Sequence, residues 1–209
     1  MQYRNAMPAQ LPTTEKGRAT RRRILQATSQ LIAERGVDRV SLEDVEREAG
    51  VGRSQLYHYF GGRDDLLRAV IDTTTDAVLG AQNGLLDELD TFAAIERWFD
   101  GLVALQERRG AVGGCPIGSL VGQLAERDDQ TRAALATGFE RWEQPLVAGL
   151  TSMQDRGELR PDASVESLAD MTMAAIQGGL LLTQVRRDPR QLRRALDGAR
   201  AVLASAAAV

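Results

Sequence analysis

An all-α fold is predicted by three features of this 209-residue sequence. Ala, Leu, Arg, Glu and Gln dominate, and these are strong helix formers. Apolar residues recur at spacings of three and four, the period of a one-faced helix, and nowhere do β-branched residues alternate as in a strand. Helix-start and helix-stop residues also fall where the periodic stretches begin and end.

Taken in order, residues 1–13 contain Pro8 and Pro12 without periodicity and are predicted to be a flexible N-terminal arm. Thr13 or Thr14 can cap a first helix whose stripe is Ile24, Ala27, Thr28, Leu31 and Ile32, ending at Gly36. "SLED" starts the next, with Ser41 as cap and Asp44 reaching back from the third helical position, a relative of the capping box. Leu42, Val45 and Ala49 face inward, Gly50 makes the turn, and a short helix covers about 52–59. "GGRDD" breaks that helix and opens another, about 64–80, with Asp64 and Asp65 where the helix dipole favours acid. Helices follow at about 91–109, then after the glycine-rich "RRGAVGGCPIG" to about 126, then from Asp128-Asp129 to Gly157, with Pro145 inside. The last two run from about 164 to 186 and from Asp188-Pro189 to about 205.

Composition narrows the function classes. No run of about 18 apolar residues exists and the N-terminus lacks an apolar signal core, so a cytoplasmic protein without a membrane span is expected. One cysteine, Cys115, and one histidine, His58, leave no set of side chains for a metal site, and no cofactor is expected. The net charge of −3 conceals a polarity along the chain: residues 1–63 hold eleven Lys and Arg against seven Asp and Glu, the remainder fifteen against twenty-two. A basic head on an acidic body points the head at a polyanion.

Two short helices joined by a glycine turn make a helix-turn-helix, and the second, "GVGRSQLYHYFGG", is loaded with polar tips. With Leu56 and Phe60 packed on Leu42 and Val45, the remaining faces carry Arg53, Ser54, Gln55, Tyr57, His58 and Tyr59. Arg53 can pair with guanine and Gln55 with adenine; Ser54, Tyr57, His58 and Tyr59 can reach phosphate or a thymine methyl. Ser41 and Arg63, at helix starts, and Arg22, from the Arg21-Arg22-Arg23 run, are the expected backbone grips. Tyr57 can equally cover the small core, and the arginine run can be a solvated face.

Residues 18–68 resemble, without a gap, the DNA-binding domain of the TetR family of bacterial transcriptional repressors. The most specific piece is Leu56-Tyr57-His58-Tyr59-Phe60 followed by Arg63-Asp64 and Leu66, which is similar to the family's L-Y-x-x-F-x-x-K-x-x-L. "GVDRVSLEDVEREAGV" also fits the family pattern. Gly52 stands where the family has a Ser cap, which removes a few tenths of a kcal/mol and one phosphate contact. Arg63 replaces Lys and keeps the charge with altered geometry.

The resemblance implies a head at 14–63, a helical effector-binding and dimerisation body at 64–209, and a homodimer on a palindromic operator, released by a small, largely apolar effector. For the pocket the candidates are Trp98, Phe99, Leu102, Ile117, Leu120, Leu124, Phe139, Trp142, Leu146, Met173 and Gln177, all of which could equally be plain core. For the dimer interface they are Leu168, Ile176, Gly179 and Leu180 on one helix and Leu192, Leu196, Ala199 and Leu203 on the last. "GGCPIGSLVGQLAE" resembles a stretch of the LmrA/YxaF-like subgroup, and Cys115 within it is an inert small residue or a sensor. An enzyme is disfavoured, because no nucleophile-base pair can be built around one histidine. An activator of the same architecture, or a helix-turn-helix serving protein or RNA, are the alternatives.

Overall fold

The computed structural model describes residues 12–82 and 84–208. Residues 1–11 of the expected arm lie outside the described residues. Among those described there are nine α-helices and no strand, only an isolated bridge between Leu159 and Ala207.

Helix α1, Glu15–Arg35, starts where the Thr14 hydroxyl accepts from the Gly17 N–H at 3.1 Å and stops at Gly36, whose φ of +80° suits glycine. A single 3-10 turn, Val37–Arg39, leads to α2, Leu42–Ala49. There the full capping box forms: the Asp44 N–H donates to the Ser41 hydroxyl and the Ser41 N–H to the Asp44 carboxylate. Gly50 takes the left-handed conformation, and α3, Arg53–Tyr59, follows from an uncapped Gly52. The remaining helices are α4 Arg63–Gly80, α5 Phe92–Arg108, α6 Pro116–Leu124, α7 Asp129–Asp155, α8 Val165–Arg186 and α9 Arg190–Ser205. Asp128 caps α7 by accepting from the Thr131 N–H at 2.8 Å.

The chain divides into two compact units. One takes in the chain up to Thr74 together with Leu120–Leu135, the other Thr75–Ser119 and the chain from Ala136 onward. The division falls inside α4, α6 and α7. In the first unit Ile24, Leu31, Val45, Leu56, Phe60, Val70 and Ile71 form the core. In the second, Trp98, Phe99, Trp142, Leu146, Met173, Ile176 and Leu192 belong to another.

That second core contains a polar knot. The Gln82 Oε1, buried, accepts from the Trp98 indole N–H at 2.6 Å and the Trp142 indole N–H at 3.1 Å, while its Nε2 donates to the Val78 carbonyl at 3.0 Å. A buried polar group costs free energy unless paired, and here one amide satisfies two indoles and is itself held.

Candidate nucleic-acid interface

Helix α3 divides its residues sharply. Leu56 and Tyr59 are buried, as is Phe60 at its end, and Arg53, Ser54, Gln55, Tyr57 and His58 face solvent. The Leu56 and Phe60 packing expected from their spacing forms, in one cluster with Val45 and with Leu42 against it. Tyr59 is a correction. Three residues after Leu56 it shares the inward face, and its hydroxyl lies against Gly17 of α1, so it belongs to the core and not to the reading face.

The Arg53 guanidinium pairs with the Glu43 carboxylate of α2 at 3.2 Å, with both side chains more than half exposed. An exposed pair of this kind is worth at most about 1 kcal/mol, so Arg53 is oriented rather than sequestered. Ser41 is already engaged: its hydroxyl donates to Asp44 Oδ2 at 2.6 Å while accepting from the Asp44 N–H. Those bonds hold the Asp44 carboxyl below the usual range, with the charges of Arg47 and Arg35 adding to them. Arg63 is half-buried and donates to the Val37 carbonyl at 2.6 Å, while the Val37 N–H donates to Gln123 Oε1 at 2.8 Å, so the turn before α2 is held from both sides.

The arginine run on α1 splits three ways. Arg21 lies over the Phe60 ring, 5.3 Å from its centroid, and Arg23 donates to the Ala49 carbonyl at 2.7 Å. Arg22 is exposed and has no bond to another described residue. The surface thus presents Arg22, Arg53, Ser54, Gln55, Tyr57 and His58. Ser41 and Arg63 keep only their unused hydrogen-bonding capacity.

In the second unit, Trp98, Phe99, Leu102, Ile117, Trp142, Leu146 and Met173 gather in one core, with Phe139 half-buried against it. Leu120 and Leu124 do not join them: they lie in the first unit's core, because the division falls within α6. A cavity of about 210 Å³ is lined by Ala81, Gln82, Leu85, Trp98, Gly101, Leu102, Leu105 and Arg108, so Trp98 and Leu102 line space and Gln82 was not foreseen. Gln177 is half-buried beside Gly118, and its side chain lies toward the Cys115 thiol. Burial pushes the Cys115 thiol up, only partly offset by the N–H groups of Gly118 and Ile117. The sulfur accepts from Gly118 at 3.3 Å as the cap of α6, which makes it a packed thiol and a poor nucleophile.

The expected interface residues are also corrected. Leu168, Ile176, Gly179, Leu180, Leu192, Leu196, Ala199 and Leu203 are all buried within the single chain. They join α8 to α9: a Cβ on Gly179 would stand 2.8 Å from Leu192 Cδ1 and 3.0 Å from Ala195 Cβ. What remains outside is a different set, Leu181, Leu182 and Val185 on α8 and Val202 on α9, with 60, 42, 72 and 42% of their surface exposed.

Among the described residues no helix is long and apolar enough to cross a membrane. The family profile described as bacterial regulatory proteins, tetR family, matches residues 24–70, and that described as tetracyclin repressor-like, C-terminal domain, matches 92–199. An uncharacterized HTH-type transcriptional regulator of Mycobacterium tuberculosis is 30% identical over 177 residues, covering 80% of this chain and 86% of that one. The HTH-type transcriptional repressor DhaR of Mycobacterium sp. is 26% identical over 184 residues, covering 82% and 86%. YxaF of Bacillus subtilis is 23% identical over 175 residues, covering 83% and 89%. Among solved structures, a TetR regulator of Chloroflexus aurantiacus superposes with a TM-score of 0.77 at 20% identity over 93% of this chain and 98% of that one. The reduced form of Escherichia coli NemR superposes with 0.75 at 20% identity over 87% and 95%. With both profiles placed on the helices that carry the two cores, this chain belongs to the TetR family and is a helix-turn-helix transcriptional regulator.

Proposed function

We propose that the protein is a repressor that occupies a palindromic operator as a homodimer and leaves it when a small molecule enters the second unit. The observation that carries this is the two-sided α3: Leu56 and Tyr59 fix it to the core while Arg53, Ser54, Gln55, Tyr57 and His58 form one exposed set. Helices so mounted place polar tips against base edges in the major groove. The relative DhaR is described as a repressor, which supports that sign of regulation here.

In this reading residues 14–63 are the DNA-binding head and 64–209 the effector and dimerisation body. The 210 Å³ cavity is smaller than the usual range of about 300–1,000 Å³, so it suits a small effector, largely apolar against Leu85, Leu102 and Leu105. Helix α4 is the lever. A sharp switch requires the effector to prefer the released conformer by several kcal/mol, about 5.5 kcal/mol for a shift from 1:99 to 99:1. The exposed apolar residues of α8 and α9 form the dimer face.

Selection of bound duplexes from a random pool, repeated with candidate effectors, tests the whole reading. Arg53→Ala is expected to cost about 1–3 kcal/mol at one base pair of the selected site and nothing at the others. A selected site that Arg53→Ala leaves unchanged at every position removes Arg53 from the readers. A protein that selects no site removes the repressor.

A further inference from the structure

Two exposed arginines of the first unit are held differently. Arg22 of α1 has no bond to another described residue, whereas Arg53 Nη2, at the start of α3, donates to Glu43 Oε1 of α2 at 3.2 Å. Arg53 is also the one permanently charged side chain on α3. Among the described residues neither Arg53 nor Glu43 has a second partner. The neighbouring acid is occupied otherwise: the Asp44 carboxylate accepts from Ser41 and faces Arg35 and Arg47. Beyond the dipole contribution of any acid in a first turn, the one contact of Glu43 is Arg53.

A free arginine in a DNA-binding head has two kinds of target. Phosphates are many and carry no sequence information, while base edges are few and carry it. A long guanidinium takes whichever is near, and a phosphate contact tightens binding to every sequence alike. A carboxylate beside it changes that balance in two ways. It occupies one of the five N–H groups and leaves the other edge of the planar fork for the O6 and N7 of a guanine. It also sets a negative charge close to whatever Arg53 touches, and this opposes a phosphate, with its full charge, more than a base edge with partial ones.

We propose that Glu43 is a positioning residue that sets sequence specificity, keeping Arg53 off the phosphates and presenting it to a guanine. The inference rests on the reading that Arg53 pairs with a base, and it adds why Arg53 does so when the unpaired Arg22 is free to grip the backbone. Fold stability is not the role of the pair, since an exposed ion pair contributes little to it. The pair lowers affinity for DNA in general and widens the gap between right and wrong sequences, because a discriminating site gains by penalising the alternatives.

The test uses the full chain and three duplexes: the selected site, the same site with the base pair that Arg53→Ala singles out replaced, and a scrambled sequence. Each is titrated at several salt concentrations. Glu43→Gln keeps the size of the side chain and removes its charge. It is expected to bind the scrambled duplex about 3- to 10-fold more tightly at low salt, and to steepen the fall of log affinity with log salt by about 0.9, the mark of one further phosphate neutralised. Its preference for the selected base pair over the replacement is expected to narrow by about threefold or more. In an Arg53→Ala background the same substitution is expected to change neither slope nor preference, because no guanidinium is there to release. Glu48→Gln removes an exposed acid of α2 that has no partner among the described residues, and this equal change of net charge is expected to alter neither readout.

If Arg53→Ala singles out no base pair, the reader falls and this inference with it. If it does single one out, while Glu43→Gln leaves the slope or the preference unchanged or Glu48→Gln matches its effects, the reader stands and the role of Glu43 is overturned.

Discussion

Gly52 caps α3 with a backbone that any residue can adopt, φ −83° and ψ 159°, and a Cβ there meets nothing within 4 Å. Glycine at a cap offers no oxygen to the free N–H groups of the first turn, and serine does. Gly52→Ser is therefore expected to raise stability by a few tenths of a kcal/mol, seen as a small rise in the urea midpoint at constant slope. A drop in the midpoint instead would show that the missing side chain makes room for something. Tyr59 carries the opposite lesson about single residues. Its place in "LYHYF" reads as one of three equivalent aromatic or imidazole tips, and only the helical register distinguishes it from Tyr57 and His58. That register is written in its spacing of three from Leu56, which the likeness of the three tips hides. Arg53 was legible as a surface residue, but its tie to Glu43, ten positions earlier and on another helix, was not.

At the scale of elements, the helices were legible where their determinants are local. Thr14, Ser41, Asp128 and Ser164 each accept from an N–H three residues on, so cap and helix start lie within one short window of sequence. Asp188 works the same way at the α8–α9 turn, accepting from the Arg190 N–H and guanidinium, and these bonds lower its pKa to about 2. A carboxyl depressed on folding contributes stability that is present above its unfolded value, about 3.9, and lost as pH falls toward about 2. The α8–α9 turn is expected to loosen across that window, and Asp188→Asn to remove the dependence, as followed by amide chemical shifts during an acid titration. Long-range determinants were hidden. Gln82 meets its two indoles 16 and 60 positions away, and no pattern announces that. Gln82→Leu leaves two buried donors without an acceptor, with an expected loss of about 2–5 kcal/mol in urea unfolding. A loss below about 1 kcal/mol would mean the indoles find another acceptor.

For the whole molecule, the fold class and the family were legible, whereas the assignment of faces was not. Helix α8 is apolar on both sides, so sequence alone cannot say which side meets α9 and which meets solvent. Gly149 shows the same gap: nothing in α7's sequence reveals that a Cβ there would strike the Leu89 carbonyl. The candidate site divides accordingly, with the exposed part of α3 foreseen and the lining of the second unit only partly so.

Trp98 and Trp142 are the chain's two tryptophans, and both end on one amide oxygen. Trp98 and Gln82 also line the 210 Å³ space. The tryptophan emission of the protein therefore comes from a single spot, at the wall where an effector would settle. A shift in colour or intensity on adding a compound reads occupancy there directly, without a label and without DNA in the cuvette.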